Sequence, residues 1–257
     1  MKILKLNYLF ILFSLLILFS CASDDDSISD NEDDIRQENL KPLGVSAADL
    51  LSEATYKSLT VELMYSSGYR PTQQTLDDFR IFLEERVNKP GGITFVETII
   101  ERPDGGSYTI SKIKEIEAEK RTQYTVGDDI AVFIYFTHSN ASTDTPTSVT
   151  LGTAYYNTSI VIYQQTLTDV SSSQNTDLYI LEETTLQHEF GHLFGLVNIQ
   201  GDDIHSNHED NDHLKHCVVQ DCLMYFESNT RSYFRNRSSV PNFDSLCIED
   251  LQAKGGK

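Results

Sequence analysis

The residues best suited to chemistry lie in the segment TTLQHEFGHLFGLVN, where His188, Glu189 and His192 form the pattern H-E-x-x-H. Residues four apart lie on one face of a helix, so the two histidines can present their rings to a single metal ion. Glu189 lies beside them, within reach of a water molecule bound to that ion. The pattern therefore predicts a zinc site with two histidine ligands and a glutamate as general base. Gly195 follows where the chain has to turn after the helix.

The third zinc ligand is not evident from this segment alone. Zinc hydrolases hold the metal through three protein ligands and keep a fourth position for water. Asn198 follows the motif, but a neutral amide oxygen binds zinc weakly compared with an imidazole. Six of the seven histidines lie close together in the sequence: His188, His192, His205, His208, His213 and His216. We therefore expect the third ligand among the histidines that follow the helix.

The segment HCVVQDCLM, residues 216–224, resembles the later half of the archaemetzincin signature, H-C-x4-C-x-M. In that family of metzincin zinc proteases it directly follows H-E-x-x-H-x-x-G-x-x, whereas here the insertion NIQGDDIHSNHEDNDHLK separates the two halves. The resemblance implies that His216 is the displaced third ligand. It also implies that Met224 is the methionine of the Met-turn, the turn that lies beneath the metal. His208, inside the insertion, is the alternative third ligand.

The cysteines that follow the motif allow two readings. Archaemetzincins hold a second zinc ion through four cysteines, and Cys217, Cys222 and Cys247 match three of them. Asp250 stands where the fourth would fall, in the pattern C-x-x-D. Either these four residues hold a second, structural zinc ion besides the catalytic one, or two of the cysteines form a disulfide. A compartment that permits disulfides favours the second reading, although the sequence does not tell which two would pair.

The N-terminal residues are typical of an exported protein. The apolar run YLFILFSLLILF follows two lysines and is too short to span a bilayer comfortably, as in a secretory signal. It ends in LFSC, which resembles a bacterial lipobox and implies lipidation of Cys21. The acidic, non-aromatic stretch after Cys21 predicts a disordered tether. We expect a signal peptide over residues 1–20, a tether over 21–45 and one metalloprotease domain over 46–257, anchored to the outer membrane or cell surface.

The elements that must position the motif alternate along the chain. Leu59, Val61 and Leu63 alternate with polar residues and predict a strand. Thr75 is the expected cap of an amphipathic helix that follows. Further predicted elements are strands in 93–100, 129–139 and 152–166, and helices in 108–122, 177–197 and 242–256. This order predicts an α+β fold. The resemblance implies its metzincin-like form: a mixed twisted sheet with a catalytic helix, a Met-turn and a C-terminal helix.

Composition and resemblance together narrow the function. A formal net charge of −19 argues against nucleic acid as a partner, because a phosphate backbone needs a basic face. The resemblance implies a zinc metalloendopeptidase in which Glu189 takes a proton from zinc-bound water. Its protein or peptide substrate would lie extended along an edge strand within GTAYYNTSIVIY. The alternative is a surface binding lipoprotein that keeps the fold without catalysis, and Asn198 is the residue that points to it.

Overall fold

The computed structural model describes residues 35–226 and 238–257. The predicted signal peptide and the lipidation site at Cys21 lie outside the described residues. None of the helices in these two described ranges combines the length and the apolar character that crossing a membrane requires.

A mixed five-stranded sheet forms the centre of the domain, as the sequence predicts. Its strands are β1 (Ser58–Ser66), β2 (Ile93–Ile100), β4 (Asp129–Phe136), β6 (Gly152–Tyr156) and β7 (Ser159–Ile162), and the short strands β3 (Ser107–Tyr108) and β5 (Asn140–Ala141) form a separate pair. The strand order is β2-β1-β4-β7-β6. The first four strands run parallel, and β6 pairs antiparallel with β7 at the edge of the sheet. The expected pair of strands at the sheet edge is therefore this β6–β7 hairpin.

Helices cover both faces of the sheet. They are α1 (Ala47–Leu51), α2 (Gln73–Arg86), α3 (Ile110–Lys120), α4 (Gln164–Gln174), α5 (Leu178–Leu193) and α6 (Ser245–Ala253), with one 3₁₀ turn at Ser206–His208. The sequence predicts all of these helices except α4. Helix α4 is rich in serine and threonine, and its N-terminal residue has no capping side chain, so the usual signals of a helix start are missing.

Alternation along the strands divides the core into two layers. Leu59, Val61 and Leu63 of β1 point to one face, where they join buried residues of α2 and α5 such as Phe79 and Phe190. On the opposite face, residues of β1 and β4 meet α3 in a smaller cluster. Side chains two apart on a strand share a face, which explains this division. The motif-bearing helix α5 thus lies in the larger of the two cores.

The cap of α2 differs from the prediction. Thr72, rather than Thr75, caps the helix, and its hydroxyl oxygen accepts a hydrogen bond from the Thr75 backbone N–H at 3.2 Å. Thr75 is fully buried, and its hydroxyl donates to Glu182 of α5 at 2.7 Å. Either threonine could cap the helix by its chemistry. Thr75 instead bonds the buried Glu182 carboxylate of α5, which leaves Thr72 as the cap.

The folded part of the chain also begins earlier than expected. Asn39, which falls within the predicted tether, is fully buried. Its side-chain amide donates to the Ala131 carbonyl and to Thr158 Oγ1, both at 2.9 Å, and its carbonyl oxygen accepts from Thr125 N at 2.9 Å. Residues from about 39 onward therefore belong to the domain, because hydrogen bonding of a buried amide offsets the cost of ordering this acidic segment.

Candidate active site

Helix α5 holds the motif on a rigid, buried element. Asp177 caps its N-terminus, accepting a hydrogen bond from Tyr179 N at 3.1 Å. Leu186 and Phe190 are fully buried on the side that packs into the core. After the helix, Gly195 adopts φ of 79°, a left-handed conformation that suits glycine and turns the chain away, as the sequence predicts.

The structure brings together the three histidines that the sequence analysis selected. The ligating nitrogens of His188, His192 and His216 all lie within 4.8 Å of one another. Their ring centroids are 4.8 Å apart for His188 and His192, 5.3 Å for His188 and His216, and 5.2 Å for His192 and His216. We call these residues the three-histidine cluster. Its size suits one metal ion with a further coordination position left for water or substrate.

Hydrogen bonds orient all three rings in the same way. His188 Nδ1 is 2.8 Å from the Leu223 carbonyl, His192 Nδ1 is 3.0 Å from the Leu196 carbonyl, and His216 Nδ1 is 3.1 Å from the Leu214 carbonyl. A carbonyl oxygen only accepts, so each Nδ1 carries the proton and donates it. In the neutral ring, Nε2 then carries the lone pair that a metal requires.

Burial keeps the rings of the cluster neutral. Burial, with a smaller effect of the facing His216, lowers the pKa of His188 to about 3. Burial also lowers the pKa of His192 well below its usual value, and that of His216 less strongly. Because metal ligation needs the unprotonated imidazole, these shifts favour metal binding at neutral pH.

Glu189 lies between the cluster and the edge strand. Its side chain is almost fully buried, and Oε2 accepts a hydrogen bond from Ala154 N of β6 at 2.8 Å. Gly152 makes room for it, since a Cβ at that position would lie 2.7 Å from Glu189 Cγ and 2.8 Å from Thr185 Cγ2. The sequence analysis did not single out Gly152, and a lone glycine inside a strand was the available signal for a close approach.

Met224 packs against helix α5 at Gly191, a second glycine that leaves room for a neighbouring side chain. A Cβ at Gly191 would overlap the Met224 sulfur and approach Phe243 to 3.2 Å. Met224 is fully buried and follows Leu223, whose carbonyl orients His188. The structure therefore places Met224 beside the cluster, on the helix face that glycine leaves open. Gly191 was also missed, although a glycine inside a helical pattern indicates close packing.

A cleft of about 240 Å³ opens onto the cluster. Thr153 and Ala154 of β6 line one side, and the other is formed by the segment before the cysteines, including Lys215. Glu189, His192 and His216 also line this cleft. Within the described part of the chain, the sheet pairs β6 only with β7, so its outer edge faces the cleft side unpaired by another strand.

His208, the alternative third ligand, does not join the cluster, and neither does Asn198, whose amide makes it a poor zinc ligand. Asn198 lies in the insertion with φ of 58°, and its side-chain amide donates to Glu209 Oε2 at 3.1 Å. His208 is almost fully buried, and it lies among the cysteines instead. His216 is therefore the histidine that completes the group around H-E-x-x-H.

The expected disulfide is absent among the described cysteines. Cys217, Cys222 and Cys247 are free and buried. Cys222 Sγ and Cys247 Sγ lie 3.6 Å apart, far beyond the ~2.05 Å of a sulfur–sulfur bond. Asp250 also differs from expectation, because its Oδ2 accepts a hydrogen bond from His208 Nε2 at 2.8 Å. The sulfurs of Cys217 and Cys247 thus lie next to the His208 ring, and the Asp250 carboxylate lies on the other side of that ring.

Comparison with known proteins supports the fold. No protein-family model matches the chain, and no curated protein matches it. The structure is similar to archaemetzincin from Methanopyrus kandleri, with a TM-score of 0.51 and 19% identity, covering 78% of this chain and 96% of that one. This similarity confirms the predicted combination of helices with a mixed sheet, and the structure shows that the sheet is mainly parallel.

Two further solved structures are less similar. One is a zinc-dependent peptidase from Methanocorpusculum labreanum (strain Z), with a TM-score of 0.43, 16% identity and coverage of 74% of this chain and 99% of that one. The other is metalloproteinase-II from Bacteroides fragilis, with a TM-score of 0.40, 16% identity and coverage of 79% and 54%.

Proposed function

We propose that this chain is a zinc metalloendopeptidase of the metzincin type, anchored by a lipid at Cys21 outside the cytoplasm. The observation that carries the catalytic part is the three-histidine cluster with Glu189 at its side and an open strand edge next to it. The lipid anchor and the location at the outer membrane or cell surface rest on the N-terminal sequence alone.

The donor set fits zinc in its catalytic form. Three neutral imidazoles, each fixed through Nδ1 by a backbone carbonyl, provide three nitrogen ligands. Catalytic zinc sites take three protein ligands and leave one position open, and the cleft provides access to that position. When bound there, zinc supplies a water of lowered pKa and polarises a carbonyl oxygen.

Glu189 is the residue that moves protons in this proposal. Its Oε2 is held by the Ala154 N–H, which fixes the carboxylate between the edge strand and the histidines. From there it accepts a proton from the attacking water and returns a proton to the leaving amine.

Strand β6 positions the substrate in this proposal. An extended peptide added to its outer edge would pair through backbone groups, which binds many sequences and leaves selectivity to side-chain pockets. Thr153 and Ala154 lie both on this strand and in the cleft wall. The bond to be cleaved therefore lies next to Glu189 when the peptide continues the sheet.

The non-catalytic alternative loses its main support. It depended on Asn198 leaving the metal one ligand short, whereas His216 stands with the two histidines of the helix. The buried Glu189 carboxylate has no use in a site that only binds a metal. We therefore retain the peptidase as the function that the site supports best.

A cleavage assay on the full chain tests this function. The chain is incubated with an unstructured protein substrate, with and without a zinc chelator, and the products are identified by mass spectrometry. We expect internal cleavage that stops with chelator and returns on adding zinc. Absence of cleavage by a preparation that contains zinc at the three-histidine cluster would contradict the proposal.

A further inference from the structure

A second group of metal-ligating side chains lies apart from the cleft. It consists of His208, Cys217, Cys222 and Cys247, and we call it the cysteine–histidine cluster. All four side chains are at most 1% exposed. Buried thiols pack as small apolar groups, but burial of an imidazole is costly unless its nitrogens have hydrogen-bond or metal partners. The ligands come from different parts of the chain, with His208 in the insertion and Cys247 in helix α6.

The distances within the cluster match a tetrahedral zinc ion. With zinc–sulfur bonds of about 2.3 Å and zinc–nitrogen bonds of about 2.1 Å, ligand atoms of a tetrahedron lie about 3.6 to 3.8 Å apart. Cys222 Sγ and Cys247 Sγ are 3.6 Å apart. His208 Nδ1 is 3.5 Å from Cys217 Sγ and 3.8 Å from Cys247 Sγ. These three distances are therefore those expected between ligands of one ion. His208, Cys217 and Cys247 also offer atoms within 4.8 Å of one another and of Asp244, and Cys222 joins them through Cys247.

Asp250 lies behind His208 and fixes its ring. Its Oδ2 is 2.8 Å from His208 Nε2, and its Oδ1 accepts from His205 N at 2.9 Å. A carboxylate only accepts, so His208 Nε2 carries the proton and Nδ1 points its lone pair at the sulfurs. Zinc-binding histidines commonly use such a carboxylate at the other ring nitrogen. This arrangement gives Asp250 the role of orienting the ligand, which leaves His208 as the fourth ligand.

Backbone N–H groups donate hydrogen bonds to two of the three sulfurs. Val219 N donates to Cys217 Sγ, while Met224 N and Asp244 N donate to Cys222 Sγ, each at 3.4 Å. Cys217 Sγ also donates a hydrogen bond to Asp244 Oδ2 at 3.1 Å. Asp244 Oδ1, however, accepts from Cys247 N at 2.8 Å and caps helix α6, so Asp244 has a structural task of its own. Cys222, with two N–H donors, is the better thiolate ligand.

We propose that His208 of the insertion, and not Asp250, completes a Cys3His zinc site with Cys217, Cys222 and Cys247, and that this ion holds His216 in place. The cluster and the three-histidine cluster share one loop. His216 directly precedes Cys217, and Leu223, whose carbonyl orients His188, directly follows Cys222. Two of the four ligands therefore fix the segment that completes the three-histidine cluster.

In this proposal, the zinc ion of the cysteine–histidine cluster also holds the insertion in place. Val218 N donates to the His208 carbonyl at 2.9 Å, and Asp210 N donates to the His216 carbonyl at 2.8 Å. These bonds place the insertion against the loop, and His208 adds a ligand bond at that point. An 18-residue interruption of the motif is thus compatible with an assembled site, because the insertion supplies a ligand of its own.

Metal counting on the full chain tests the ligand set. We expect two zinc ions per chain in the wild type and one in His208→Ala. The matched control is His205→Ala, which removes a histidine of the same insertion that pairs with Glu249 on the surface, and it should keep two. Asp250→Asn should keep His208 as ligand while weakening zinc binding at this cluster about 10- to 100-fold. Two zinc ions in His208→Ala, or outright loss of one in Asp250→Asn with His208→Ala unaffected, would overturn the assignment.

Thiol titration of the wild type avoids any dependence on variant folding. With zinc bound, the three thiols should react slowly with a thiol reagent, and all three should react after unfolding in chelator. A single reactive thiol under unfolding conditions would mean a disulfide and would overturn the zinc site. Cys222→Ser should lose this ion and Asp244→Asn should keep it; the reverse result would put Asp244 in the ligand set.

The effect on His216 rests on the proposed function and is measured separately. In His208→Ala, the remaining zinc should be lost to a chelator at a lower chelator concentration than in His205→Ala. Equal retention in the two variants would show that the second ion does not hold His216, even if the ligand set is correct. The count of zinc ions does not depend on peptide cleavage, so failure of the peptidase assay leaves the ligand assignment testable.

Discussion

The two metal-ligating clusters of this chain differ in access. The three-histidine cluster lies at the wall of a cleft, with three nitrogen ligands and Glu189 beside them. The cysteine–histidine cluster has four candidate ligands, and all four are buried. Catalytic zinc sites keep a position open and structural sites fill all four. The chain therefore contains one cluster of each kind, and both include residues of the same loop. Only the three-histidine cluster leaves a coordination position open, so only it can act on a substrate.

Replacing the general base should produce the largest effect. Glu189→Gln keeps the size of the side chain and removes its ability to accept a proton, so the rate of peptide cleavage should fall by about 10²- to 10⁴-fold. Zinc content should remain that of the wild type, since Glu189 is not a ligand. Parallel measurement of kcat and bound zinc checks this.

The control for that change is on the same helix. Glu183 is also buried in α5, outside the cleft, and Glu183→Gln should leave kcat close to the wild-type value. Equal loss of activity in both variants would mean that the helix, and not proton transfer, had been damaged.

A chelator should separate the two clusters by rate. The ion at the cleft is accessible and should leave first, together with activity, while the ion bound by three thiolates in the interior should leave later. Zinc release, activity and thiol reactivity followed in one time course provide the measurement. Release of both ions in a single phase, with thiols reacting from the start, would contradict the distinction between an open and a closed site.

A steric change at Gly152 should weaken the three-histidine site alone. Gly152→Ala brings a Cβ to 2.7 Å from Glu189 Cγ, so the carboxylate has to move and kcat should fall. Overpacking of this kind also costs about 1–3 kcal/mol in the free energy of unfolding. Gly106→Ala is the matched control, because no atom lies within 4 Å of its added Cβ. Activity and Tm of both variants test this, and unchanged kcat in Gly152→Ala would argue against a fixed position for Glu189.

The smallest effect should appear as a pH dependence of stability. Burial raises the pKa of the Glu183 carboxyl from its usual 4.5 to about 8. Its protonated form is favoured in the folded state, so its contribution to stability is present below pH 4.5 and is lost as pH rises through about 8. Glu183→Gln mimics the protonated form, and its unfolding free energy relative to wild type should increase between these pH values. Denaturant titrations across this range measure it, and a difference that stays constant with pH would contradict the shift.

The sequence predicts the three-histidine cluster better than the cysteine–histidine cluster, for a physical reason. His188, Glu189 and His192 belong to one helix, so their spacing alone determines that they share a face. The ligands of the cysteine–histidine cluster come from the insertion, the following loop and α6, and only the tertiary fold brings them together. Asp250 stands where the resemblance places the fourth cysteine, in the pattern C-x-x-D, whereas its side chain bonds the far nitrogen of His208.

The elements of the fold, too, are predicted where the sequence signal is local. Periodicity predicts the strands and the helices whose apolar faces are regular, including the catalytic helix α5. It misses α4, which has no capping side chain, and it places the start of the domain too late, because the buried contacts of Asn39 are with residues about 90 or more positions away. Local patterns do not encode such distant partners, and the same limit applies to His208.

The measurement that tests the central claim most directly compares His216→Ala with His213→Ala on the full chain. Both variants remove a histidine from the same loop, but His213 lies on the surface paired with Asp210. The account predicts that His216→Ala cleaves no peptide and retains only the thiolate-bound zinc, while His213→Ala keeps both zinc ions and full activity. Peptide cleavage at the wild-type rate by His216→Ala with two zinc ions bound would contradict it.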